Sequence, residues 1–154
     1  MCGLSRIIAV ALSALVVAAP FANADGPDDS KAAYEHRVDT MKRMGRALYT
    51  TIGKVVRGKA EFSADTVAAA ETIVSLSAMI PVLFPPGSAV GDSRAKPEIF
   101  AAGARVAELA AGVEAKAGAL AAAAKSGDLA ALGTAAKALD EACEACHRDF
   151  RKPE

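Results

Sequence analysis

The sequence predicts an all-α protein, an antiparallel up-down bundle of four helices. Three observations carry the prediction. Apolar residues recur in steps of three and four through four separate segments. Gly, Pro, Ser and Asp punctuate the chain between those segments. Ala dominates the composition: hydrophobic residues are 53% of the chain, aromatics only 5%, and Trp is absent. Such a composition suits helices that approach closely, but it leaves little bulk to fill a core. At 154 residues the chain makes one domain.

The first helix is expected from about Ser30 to Arg57, with Gly58 as its C-cap. Its inward seam runs through Tyr34, Val38 (or Arg37), Met41, Gly45 (or Met44), Leu48, Ile52 and Val55. Ser63 or Asp65 caps the second helix, which runs to about Ile80 and is ended by Pro81. Residues 81–97 form the one long loop, with Leu83 and Phe84 tucked inward. The third helix opens at Pro97 and Glu98, where an early Pro fits, and continues to about Lys125. Ser126, Gly127 and Asp128 make a turn, and Asp128 caps a fourth helix that reaches about Phe150. Short connections join helices one to two and three to four, so each pair is antiparallel.

Residues 1–24 read as a removable secretory signal peptide, leaving residues 25–154 as the bundle domain. Arg6 supplies the positive charge, Ile7 to Val17 the apolar run, and Ala22-Asn23-Ala24 the cleavage site before Asp25. A membrane anchor is the competing reading, but the run is shorter than the roughly 20 residues a spanning helix needs. Cys2 precedes the run and leaves with it. The full chain has 18 basic and 18 acidic residues, and cleavage removes Arg6 alone among them. The mature balance is thus one acid in excess. There is no basic patch for nucleic acid, and no membrane association is expected after cleavage.

The chemistry sits at the end of the chain. Cys143-Glu144-Ala145-Cys146-His147 is C-x-x-C-H, the attachment signature of a c-type haem. On a helix, residues at i, i+3 and i+4 share one face. Cys143 and Cys146 can each form a thioether to a haem vinyl group, and His147 can offer its imidazole to the iron. A dithiol redox pair normally opens a helix after a strand, and no strand pattern lies nearby. Zinc would need further Cys or His, and the only other His is His36. One covalent haem c, added after export to a bacterial periplasm, is therefore the expected cofactor. It would also fill the underbuilt core.

The ligand on the opposite side of the iron decides the chemistry. A Met there gives six-coordinate iron suited to electron transfer, whereas an open position takes a gas. Met41 lies on the seam of the first helix, and Met44 is about 60° round from it. A Met on an apolar stripe is ordinarily core, so the residues alone leave this open. His36, roughly 140° round from Met41, faces solvent.

Taken together, residues 30–152 resemble the cytochrome c-prime superfamily, the class II c-type cytochromes. The resemblance rests on Arg37-x-x-x-Met41-Lys42-x-x-Gly45-Arg46, on Leu83-Phe84-Pro85, and on Ala95-Lys96-Pro97-Glu98-Ile99-Phe100. It closes with Cys143-x-x-Cys146-His147-x-x-Phe150-Arg151. In high-spin members an apolar residue sits where Met41 lies, and the iron stays five-coordinate. In the low-spin cytochrome c-556 branch a Met there is the sixth ligand.

Met41 with its following residues resembles the low-spin branch. The resemblance thus implies an electron carrier with His147 and Met41 on iron, working with redox partner proteins. The alternative it implies is a five-coordinate protein that binds nitric oxide or carbon monoxide. It further implies Arg37 paired with a haem propionate and Arg151 near the imidazole side, and a homodimer as in relatives. An enzyme such as a peroxidase would want an acid–base pair over the iron. The first helix offers no inward His, so no enzymatic activity is expected.

Overall fold

The computed structural model describes residues 27–153; the expected signal peptide at residues 1–24 lies outside them. The first helix, α1, spans residues 27–56 in three parts: an α-helical Pro27–Gly45, a π-helical Arg46–Ile52 and a last α-helical turn Gly53–Val56. The remaining long helices are α2 (Ala64–Ser77), α3 (Gly103–Ser126) and α4 (Leu129–Phe150). Short 3-10 turns at Ile80–Val82 and Pro97–Ala101 bracket the long loop. This is the four-helix bundle that the periodicity predicts.

Local chemistry sets the ends. The Thr66 hydroxyl accepts from the Ser63 backbone N–H at 3.2 Å, closing the first turn of α2. The Asp128 carboxylate accepts from the backbone N–H groups of Ala130 and Ala131 at 2.9 and 3.0 Å, capping α4 as expected. Gly127 ends α3 at φ 71°, a left-handed conformation that costs glycine nothing. Two boundaries differ from expectation. The second helix stops at Ser77, because Pro81 lacks the N–H that would bond back to that residue. The third begins at Gly103, because Pro97–Ala101 winds as a tighter 3-10 turn and breaks at Ala102.

The core is a thin column of Leu, Ile, Val and Ala. Ile52, Ala70, Ala117, Leu120, Leu132 and Leu139 are fully enclosed. Around the ring, α1 packs on α2, α2 on α3, and α3 on α4. The last turn of α1 closes the ring against α4, where Val56 lies beside Gly133. The seam of α1 keeps Leu48, Ile52 and Val55 as the steps of three and four predict, and takes Arg37 and Met44, the second choices, over Val38 and Gly45. Arg37, Thr40, Met44, Ala47, Leu48, Ile52 and Val55 are buried, while Val38 and Met41 are half-buried. The π-helical stretch contributes Ala47, Leu48 and Ile52 to this buried face.

Candidate functional site

At the end of the bundle away from Val56, α1 and α4 stand apart around a cavity of about 700 Å³, well within the size range of ligand pockets. Cys143, Cys146 and His147 form part of one wall, and Val38, Met41 and Leu48 part of the other. Phe84, Ile99 and Val113 contribute to the remaining sides. The register of α1 and α4 follows from two contacts. Val56 lies against Gly133, and seven residues along each helix Tyr49 donates to Asp140 Oδ1 at 2.5 Å. The same interval again brings Lys42 level with His147, with Met41 beside it. The cavity therefore lies between His147 and the Met41 region.

Helix α4 delivers its three residues as the spacing predicts. All three are half-buried on the cavity side. Neither Cys is in a disulfide. Burial first, then the charge of Asp140, pushes the Cys143 thiol up to about 11. Burial, followed by Asp149, raises Cys146 as well. Burial first, then the positive charge of Arg151, holds His147 below the ordinary imidazole value. An imidazole kept neutral has a lone pair available for a metal. Among the described residues no group of three or more His, Cys, Asp or Glu is placed to hold a bare metal ion. The donor set suits a cofactor that brings its own metal and most of its own ligands. The apolar hollow beside it fits a flat macrocycle.

The two arginines differ in their placement. Arg37 was expected to pair with a propionate, and the structure gives it other partners. Its side chain is buried, with Nη1 donating to Leu83 O and Ser88 Oγ, both at 3.0 Å. Nη2 donates to Ser88 O at 2.8 Å and Ser93 Oγ at 3.4 Å. The guanidinium also stands 5.3 to 5.7 Å from the rings of Phe84, Phe100 and Tyr34. With both terminal nitrogens committed to loop groups, Arg37 clamps the 81–97 loop against α1. Arg151 is exposed, and its backbone N–H donates to His147 O at 2.8 Å. It lines the cavity with His147, and its positive charge acts on that imidazole.

Sequence reasoning missed Tyr49 and Asp140. Both bear on the cavity, Tyr49 as part of its lining and Asp140 one turn before Cys143. On a regular helix Tyr49 would lie about 80° round from Met41, off the seam. No local signal marks the π-helical stretch that carries it.

Comparison with known proteins decides the family. The cytochrome c′ family profile matches residues 32–151. The chain belongs to the cytochrome c′ family. The cytochrome c′ of Pararhodospirillum photometricum is 30% identical over 123 residues, covering 79% of this chain and 98% of that protein. A solved cytochrome c′ described as having an unusual ligand-controlled dimer dissociation superposes with a TM-score of 0.73. It is 28% identical and covers 80% of this chain and 97% of its own. A ferrous variant of cytochrome c′ from Alcaligenes xylosoxidans with bound NO gives a TM-score of 0.70 at 28% identity, covering 81% and 97%. Another variant of that protein holds carbon monoxide. As in this family, the cofactor is one covalent haem c.

These findings overturn the expectation of a six-coordinate, low-spin electron carrier with Met41 fixed on the iron. The matches are to cytochromes c′, and solved relatives hold a diatomic gas. An iron permanently bound by His and Met has no position left for such a ligand. Met41 is thereby returned to the role of an apolar wall residue. No helix of the described residues is long and apolar enough to cross a membrane.

Proposed function

We propose that this protein is a periplasmic, five-coordinate haem protein that binds a diatomic gas, nitric oxide or carbon monoxide, opposite His147. The observation that carries this reading is the contrast between the cavity walls: a neutral imidazole on α4 faces the half-buried, apolar side chains of Val38 and Met41 on α1. Cys143 and Cys146 would tether the macrocycle through thioethers, and His147 would offer its imidazole nitrogen to the iron. When bound, the haem supplies a ferrous iron with one open coordination position. Val38, Met41 and Leu48 exclude water and leave room for a small, uncharged molecule. No second His lines the cavity, so the wall lacks the acid–base pair a peroxidase would use. That favours a binding protein over an enzyme.

Residues 1–24 direct export, which the covalent haem requires for its attachment. A reducing partner is needed to reach the ferrous state. The ligand-controlled dimer of one relative supports a homodimer here, and sedimentation with and without carbon monoxide checks it. The main test is the spectrum of the purified holoprotein. The ferric form should be high-spin, and the dithionite-reduced form should bind carbon monoxide. Met41→Leu should leave the spin state unchanged. A low-spin ferric spectrum that becomes high-spin in Met41→Leu would defeat the proposal.

A further inference from the structure

The last four carbonyls of an α-helix have no partner within the helix. In α4 these belong to His147, Arg148, Asp149 and Phe150, the turn that begins at the expected axial ligand. His147 O accepts from the backbone N–H of Arg151 at 2.8 Å. The other three accept from a single residue. Lys96 Nζ donates to Arg148 O and Asp149 O, both at 3.0 Å. The Lys96 backbone N–H donates to Phe150 O at 2.8 Å. A cation at this end also favours the helix dipole.

Lys96 is itself held in place. Pro97 follows it and restricts its backbone to the extended region, where it lies at φ −71°, ψ 145°. Its carbonyl accepts from the Ile99 N–H at 3.2 Å. Neighbouring contacts tie the same two segments together: Lys152 N–H donates to Arg94 O at 2.8 Å, and Lys152 Nζ to Ser93 O at 3.0 Å. Ser93 in turn accepts from the buried Arg37. The loop that Lys96 ends is thus anchored to α1 at one point and to the haem-bearing turn at another.

We propose that Lys96 is a positioning residue for His147: by capping the last turn of α4 it fixes the backbone beneath the imidazole and so sets the iron–imidazole bond. The inference rests on His147 being the axial ligand. A tilted imidazole overlaps the iron less well, so a looser turn weakens that bond.

The test uses the holoprotein in its ferrous form. Resonance Raman reads the iron–imidazole stretch, and amide hydrogen exchange reads protection at Arg151 and Lys152. Lys96→Met removes both ammonium contacts and keeps the backbone one. The stretch should move to lower frequency and broaden, and exchange should quicken by roughly tenfold, as expected for loss of charge-assisted hydrogen bonds. Lys96→Arg should restore most of both. Lys96→Gln, which keeps a donor without the charge, should fall between them and serves if Lys96→Met does not mature. Faster exchange with an unmoved band would mean Lys96 merely caps the helix, and the proposal fails. It fails equally if neither readout changes. Absence of any iron–imidazole band in the parent protein would instead refute a five-coordinate ferrous iron on His147, the reading on which the inference rests.

Discussion

The two walls of the cavity are built in opposite ways. The α4 wall takes all its chemistry from one continuous motif, Cys143 to His147, on a regular helix. The α1 wall gathers Val38, Met41 and Leu48 across a change from α- to π-helix, and depends on a loop clamped from below by Arg37. One wall is chemistry set by spacing; the other is shape set by packing. The difference teaches that damage to α4 should remove the cofactor, whereas damage around α1 should cost stability and leave the cofactor attached.

The sharpest break of that contrast is Cys143→Ser with Cys146→Ser. All haem should become extractable into acidified acetone, against none from the parent. The thermal midpoint should also fall, because the cavity loses its filling. Haem that stayed covalent would move the attachment site elsewhere.

Arg37→Met comes next. It strands the Leu83 and Ser88 carbonyls in a buried setting, at a cost of about 3 kcal/mol in denaturant unfolding. Covalent haem content should be unchanged. A loss below about 1 kcal/mol would show that Arg37 does not clamp the loop.

The smallest effect is at Tyr49, whose hydrogen bond to Asp140 ties the two walls together. Tyr49→Phe should cost about 1 kcal/mol. Burial first, then the Asp140 hydrogen bond, raises the Tyr49 phenol above the ordinary tyrosine value. The folded state therefore favours the neutral phenol. Its stabilisation is present below about pH 10, the unfolded value, and is lost as pH rises above that. The parent should lose more stability than Tyr49→Phe between pH 9 and 11; parallel curves would remove this role.

How much was legible in the sequence follows the same division. The Asp128 cap, the Pro81 stop and the C-x-x-C-H face of α4 are local, since each depends on residues within one or two turns. The loop partners of Arg37 were hidden because they lie 46 to 56 positions away, and a buried Arg four residues before Met41 looks the same in sequence as one reaching for a propionate. Tyr49 was missed because the seam was drawn at a constant α-helical pitch. Met41 was read as a ligand through its resemblance to the low-spin branch, because a thioether on an apolar stripe by itself fits either role.

The sequence by itself determined the four helices, their order and the covalent haem attachment motif, because periodicity, caps and fixed spacing act over a few residues. Only the tertiary structure decided what faces that motif. It set the π turn, the buried Arg37 and the Lys96 cap, because those depend on groups brought together from distant parts of the chain, where burial and unpaired carbonyls select the partner.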